Sequence, residues 1–157
     1  MKFVVFTFLL AITITACGAQ NSYKNISEKN GKIGIGTSNP DELLTVKGKV
    51  HAQEVIVDLK GAVAPDYVFE AYFDGASTLS PEYKMLTLQE LALYIEVNHH
   101  LPKVQSAASL KGEGLELKKM NLLLLEKVEE LTLYTLEQQS QLEVLKERLT
   151  ALEKKEE

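Results

Sequence analysis

An unbroken heptad pattern runs from Leu117 to Leu152 and constrains this chain more than any other feature of its sequence. Steps between core positions alternate strictly between three and four residues, as in a coiled coil. The a positions are Asn121, Val128, Thr135, Leu142 and Leu149, and the d positions are Leu117, Leu124, Leu131, Gln138, Leu145 and Leu152. These residues are called the seam below. One helix cannot bury such a stripe, so the pattern predicts oligomerisation, most simply with copies of the same chain.

Three seam positions are polar: Asn121, Thr135 and Gln138. Such residues lower the stability of a coiled coil but penalise slipped registers, because a slip leaves a buried polar group unpaired. They favour a defined parallel register. Arg148 at g and Glu153 at the following e are placed to pair between chains.

The N-terminus has the composition of an export signal, with Lys2 followed by an apolar stretch over residues 3–16 and then small residues. The stretch is shorter than the roughly 20 residues that span a membrane as a helix. We expect a signal peptide over residues 1–19 and an exported protein, secreted, periplasmic or on the cell surface.

Cys17 leaves two outcomes of this processing open. Residues 14–17 fit the pattern for lipid attachment to a bacterial cysteine, which would tether the protein to a membrane; cleavage after Ala19 would release it instead. Since Cys17 is the only cysteine, no disulfide forms within the mature chain in either case.

The rest of the chain divides by composition into four segments. They are a polar, flexible lead-in over residues 20–30, a short-strand β-stem over 31–60, an α+β collar over 61–114 and a coiled-coil helix over 115–157. In the stem, short strands are predicted at 32–37, at 44–46 and over 50–59. Within 50–59, the apolar residues change from one face of the strand to the other near residues 53–54, which predicts a bulge there. Strands this short form no stable isolated sheet, so we expect one third of an interleaved trimeric structure.

The collar contains an aromatic cluster over residues 67–73 and a capping box from Thr87 to Glu90, which predicts a helix to about Asn98. A further helical turn is expected over 106–111, ended by glycines, before the long helix begins at about Leu115. The first turns of that helix carry extra leucines. We expect the aromatic cluster and the capped helix to cover them, with neighbouring chains covering the rest.

Candidate chemical sites are weak. Adjacent His99 and His100 point about 100° apart on a helix and have no third ligand nearby, so no metal site is expected. The Gly34-Ile35-Gly36 segment lacks the third glycine of a phosphate loop, so no cofactor is expected. Ser106 or Ser109 with a nearby lysine shows no oxyanion arrangement, so no catalytic residue is assigned. The aromatic cluster either binds a ligand or, as we favour, seals the trimer.

Two sets of motifs resemble a known group of proteins. Gly34-Ile35-Gly36-Thr37-x-x-Pro40 followed by Leu44-Thr45-Val46-x-Gly48 resembles repeats of exported Bacteroidetes proteins described as tail-fibre or cell-wall-anchor proteins. The segments 65–70, 100–102 and 126–134 look like the C-terminal module of the same proteins. The resemblance implies a fibre-like homotrimer, and the count of three rests on it because the seam residues alone do not decide between two and three helices.

The layout is also distantly similar to the endosialidase-type intramolecular chaperones that end phage tail spikes, many of which cleave themselves at a serine. Residues 55–60 here contain no serine, so self-cleavage is not expected.

The sequence thus predicts a non-enzymatic, exported structural protein that forms a homotrimer. Its other partners would be fibre or envelope components, and its net charge of −5 without a basic stripe excludes nucleic acid. Contact with a membrane would come only through the signal peptide or a lipid. The alternatives are a surface-anchored lipoprotein that acts as an adhesin or ligand-binding module, and a self-cleaving chaperone.

Overall fold

A computed structural model describes residues 25–156 of the chain, so the predicted signal peptide and Cys17 lie outside the described residues. The described part is α+β, as predicted. Its elements are β1 (Ile26–Lys29), β2 (Lys32–Ile35), β3 (Leu44–Val46), α1 (Tyr67–Asp74), α2 (Leu88–Asn98), α3 (Ala107–Glu113) and α4 (Leu117–Glu156). The described residues form two compact units, the first ending at Val55 and the second beginning at Ile56.

The first unit is a three-stranded sheet in the order β1-β2-β3, with β1 antiparallel and β3 parallel to β2. Strands at 32–35 and 44–46 agree with the sequence prediction. The prediction of a flexible lead-in to residue 30 is wrong for residues 26–29, which form β1. Strand β1 forms because of the turn at Asn30-Gly31, in which both φ angles are positive, at 55° and 77°. Two such residues close a tight hairpin whose twist matches that of the strands.

The two faces of this sheet differ in composition and in cover. Ser27, Gly34 and Thr45 lie on one face, where the loop after β2 covers them: Ser27 Oγ donates to Thr37 O at 2.6 Å, and Thr45 Oγ1 donates to Asp41 Oδ1 at 2.7 Å. The other face carries Ile26, Ile33, Ile35, Leu44 and Val46, of which the first four are exposed. The sheet therefore covers its polar face and leaves its apolar face open.

The strand predicted over residues 50–59, with its bulge, is wrong for the single chain, because these residues form no regular element. Their apolar side chains are exposed, Ile56 to 92%. Branched side chains favour a strand only where a neighbouring strand accepts its hydrogen bonds and packs on it, and the described residues of one chain provide none.

The helices of the second unit begin and end near the predicted residues. Thr87 and Glu90 form the predicted capping box, and α2 ends at His99, which adopts a φ of 58°. Ser106 caps α3, which continues through Gly112 and ends at Glu113, before the C-cap residue Gly114. The aromatic cluster, for which no helix was predicted, forms α1, and α4 starts at Leu117 rather than at Leu115.

The core of the second unit lies where α1 and the segment before α2 pack on α4. Val68 of α1 and Leu133 of α4 are fully or almost fully buried, and Tyr134 is 7% exposed. Helix α1 of the aromatic cluster therefore packs on α4, as expected, but Leu125, one of the extra leucines in the first turns of α4, remains 44% exposed. Among the described residues, no helix is both long enough and apolar enough to cross a membrane.

Candidate oligomerisation surface

The seam is exposed along its whole length in the single chain. Leu117 at the start of α4 is 61% exposed, Leu131 in the middle 63% and Leu152 near the end 60%. The polar positions Asn121, Thr135 and Gln138 are exposed as well. No described part of the chain folds back over this stripe.

Between residues 126 and 134, the opposite side of α4 is covered by the collar. Glu126 and Leu133, both at heptad position f, are 2% and 1% exposed, and Glu129 at b and Glu130 at c are buried too. In a plain coiled coil these outer positions face water. Here they form the contact between α4 and the collar, so the collar packs on the outside of the helix and leaves the seam open.

A cluster of charged and phenolic groups holds the collar on α4. Glu126 is its centre: Lys103 Nζ lies 2.8 Å from Oε1, Lys127 Nζ lies 2.9 Å from the same atom, and the Tyr67 hydroxyl donates to Oε2 at 2.5 Å. Tyr67 comes from α1 and Lys103 from the loop after α2. One carboxylate therefore ties two separate collar segments to the long helix.

Glu130, one turn further along α4, extends the cluster. It accepts a hydrogen bond from the Tyr83 hydroxyl at 3.0 Å and forms an ion pair with Lys127 at 2.8 Å. The rings of Tyr67 and Tyr83 lie 5.0 Å apart, and Lys103 Nζ is 5.0 Å from the centre of the Tyr83 ring. Each buried charge is thus paired, as a low-dielectric environment requires.

The cluster shifts the pKa values of its members. Burial acts to raise the pKa of Glu126, but hydrogen bonds from Lys103, Tyr67 and Lys127 outweigh burial and hold it below its usual range. Burial acts to lower the pKa of Lys127, whereas its bonds to Glu130 and Glu126 raise it above the usual value. Burial and the adjacent carboxylates raise the pKa values of Tyr67 and Tyr83, so both phenols stay protonated donors.

Glu129 is the exception in this region. Its Oε2 atom is buried and has no hydrogen-bond partner within residues 25–156. Burial raises the pKa of Glu129, and the carboxylates of Asp66 and Glu126 raise it further. The ionised form of this side chain therefore opposes folding.

A groove runs beside the middle of the seam, with a volume of about 320 Å³. Leu88 and Leu91 of α2, together with Leu101, line one side of it. Its other side is formed by seam residues, among them Leu124, Val128 and Leu131. The capped helix, which we expected to cover α4, instead stands beside the seam and leaves an apolar channel between the two helices.

The remaining candidate residues have structural roles. The His99 amide donates to Ile95 O at 2.8 Å and closes α2, and the His100 ring packs edge-on against Tyr94 at 5.8 Å. Ser106 accepts from the Ser109 amide at 3.2 Å as the cap of α3. Within the described residues, no three His, Cys, Asp or Glu side chains are grouped so as to hold a metal ion.

The cluster around Glu126 was not predicted from the sequence. The one sequence signal for this cluster is that three glutamates occupy positions b, c and f beside the extra leucines. On a coiled-coil surface that faces water, glutamates at these positions do not pair with distant tyrosines. Lys103 and Tyr67 are far from Glu126 in sequence, so periodicity alone could not bring them together.

No protein family, curated protein or solved structure matches this chain. The assignment of function therefore depends on the residues and geometry described above.

Proposed function

We propose that this chain is an exported, non-enzymatic structural protein, similar to tail-fibre proteins, that forms a parallel homotrimer through its seam. One observation carries the proposal: all eleven seam residues are exposed, whereas the outer face of the same helix is buried under the collar between residues 126 and 134. A helix that was only a support for the collar would need apolar residues on its covered face alone. The seam packs against nothing in the described part of one chain, whereas in an oligomer it can pack against the seams of other chains.

Energy considerations support association. The helix spans 40 residues, about 60 Å, and every residue of it from 135 to 155 is exposed. Helices draw most of their stability from burying an apolar face rather than from intrinsic propensity. Covering a half-exposed leucine contributes about 1 kcal/mol at 25 cal/mol per Å², and the seam provides eight apolar positions for this.

The first unit supports more than one copy of the chain as well. Its sheet leaves an apolar face open, and residues 50–59 carry exposed Val55, Ile56 and Val57 with no strand partner in the described chain. Joining the long helices raises the effective concentration at which these segments meet. In the proposed trimer, the open faces and unpaired segments of three chains cover one another as a β-stem.

Two neighbouring residues of α4 provide a matched test. Leu145 lies in the seam at d and is 58% exposed, whereas Val144 lies outside it at c and is 44% exposed. Leu145→Asp is expected to reduce the mass measured by light scattering from three chains toward one at micromolar concentration, because three carboxylates would meet in the core. Val144→Asp is expected to keep the trimer. Equal masses for the two variants would contradict assembly through the seam.

An adhesin or ligand-binding lipoprotein is the second candidate, and the groove beside the seam favours it, since an apolar channel of about 320 Å³ is large enough for a small ligand. This function predicts a ligand-dependent rise in melting temperature and a lipid-modified Cys17 in the mass spectrum of the protein purified from a membrane fraction. The structural function predicts that the groove is already occupied in the purified oligomer. A mature N-terminus at Gln20 would argue against the lipid anchor.

A further inference from the structure

We propose that α2 of each chain packs against α4 of the neighbouring chain, so that the groove beside the seam is filled by a second copy of the long helix. The inference rests on the proposed coiled coil and adds a contact to it. It makes the collar part of the interface between chains, with Leu88 and Leu91 as the residues that meet the neighbour.

The groove shares its residues with the seam. Leu124, Val128 and Leu131 belong to both. A neighbouring helix that follows the seam from Leu117 to Leu152 must pass the level of these residues. It then lies along the groove, next to the leucines of α2 on the opposite wall.

The heptad positions identify the side of the neighbour that α2 meets. Besides seam residues, α4 contributes Lys127 and Tyr134 at g and Glu130 at c to the groove. Hence α2 stands on the g flank of its own α4. In a parallel coiled coil, the g flank of one helix faces the e flank of the next, and position b lies beside e on the helix surface.

The b and e flank of α4 carries an apolar residue that no other part of residues 25–156 covers. Leu136 at b is 56% exposed, and its flank neighbours Thr132 and Gln139 at e are exposed too. A second cavity brings Leu88 together with Tyr134, Glu137 and Gln138, and the Tyr134 hydroxyl donates to Leu86 O, which places Leu88 at the same height along the helix as Leu136. In parallel register, Leu88 of one chain therefore meets Leu136 of the next.

Photo-crosslinking of the full chain tests this contact. Benzoylphenylalanine in place of Leu88 is expected to yield, after irradiation of the purified protein, a species of two chains on a denaturing gel. A crosslink within one chain leaves the denatured mass unchanged, so the gel separates the two cases. The matched control carries the same group in place of Leu93, which is also in α2 and is 63% exposed but does not line the groove.

The attachment site and the native mass distinguish the outcomes. An adduct within residues 132–139 of another chain supports the inference, whereas an adduct on the α2 of another chain indicates antiparallel helices and overturns it. An oligomer by light scattering that gives no two-chain adduct overturns it but leaves the proposed function in place. A mass of one chain overturns both.

A second variant tests the same contact without a crosslinker. Leu136→Asp is expected to raise the dissociation constant of the oligomer by roughly tenfold or more, because it puts a charge against the leucines of α2. Val144→Asp, on the other flank, is expected to leave it within about threefold of the unaltered protein. Equal effects of the two substitutions would contradict the contact.

Discussion

Single residues on the covered face of α4 decide how the collar is held. Glu126 accepts hydrogen bonds from Lys103 and Tyr67 and forms an ion pair with Lys127, whereas Glu129, less than one turn away, has a buried oxygen without a partner in residues 25–156. The two glutamates have opposite pKa shifts for this reason. Their substitution should therefore affect stability in opposite directions.

Glu126→Gln is expected to lower the free energy of unfolding by about 2 kcal/mol, because it replaces the buried carboxylate that Lys103, Lys127 and Tyr67 share by a neutral amide, while Lys127 keeps its ion pair with Glu130. Urea unfolding followed by circular dichroism, at one protein concentration, measures this value. Glu137→Gln, at an exposed position of the same helix, is the control and should change it by less than about 0.5 kcal/mol. A loss equal to that of the control would show that the cluster does not hold the collar.

Glu129→Gln is expected to stabilise the protein at pH 7. Because the pKa of Glu129 is raised on folding, the folded state binds more protons than the unfolded state above the ordinary value of 4.5. The contribution of this residue to stability is therefore complete below pH 4.5 and is lost as the pH rises through its folded-state pKa. The gain from the substitution should shrink as urea unfolding is repeated from pH 7 toward pH 4.5. A gain that stays constant with pH would contradict this account.

Whole elements show where sequence patterns suffice and where they fail. The capping box and heptad spacing placed α2 and α4 to within two residues because they are local signals. The Asn30-Gly31 hairpin was also a local signal, but the polar composition around it hid strand β1. Helix α1 and the cluster around Glu126 depend on contacts between distant residues. The segment over 50–59 has the composition of a strand but lacks a partner within the chain.

Thr87→Ala is expected to destabilise α2 by about 1 kcal/mol, because the Thr87 hydroxyl accepts from the Glu90 amide and the Glu90 carboxylate bonds back to the Thr87 amide. Hydrogen exchange of the amides in the first turn of α2 measures this loss. The control is Thr150→Ala, within α4, where the hydroxyl bonds only to Lys146 O and caps no helix. Unchanged exchange in α2 would show that the cap is dispensable.

Gly34→Ala is expected to disrupt the sheet. A Cβ atom there would lie 2.3 Å from Thr37 O, a backbone atom that cannot move without opening the loop. The amides of Ile33, Gly36 and Lys47, which bond across the strands or beside them, should lose protection from hydrogen exchange. Gly48→Ala, where a Cβ meets nothing within 4 Å, is the matched control and should leave the protection of these amides unchanged. Equal protection in both variants would contradict the tight packing of the loop on the sheet.

At the scale of the whole molecule, the chain carries more apolar surface than it can cover. The open surface consists of the seam, the groove beside it, the apolar face of the sheet and the segment over 50–59. Exposed apolar areas of this extent are typical of surfaces that bind other proteins. In the trimer that we propose, copies of the same chain supply a complementary surface for each of them, so that folding is coupled to association.

The most direct test of this account is the absolute mass of the purified protein in solution, measured by size-exclusion chromatography with light scattering over a range of concentrations. We expect a mass three times that of the processed chain, falling to one chain only on strong dilution. A mass of one chain at every concentration would contradict the account, and it would mean that the seam binds a helix of a different protein.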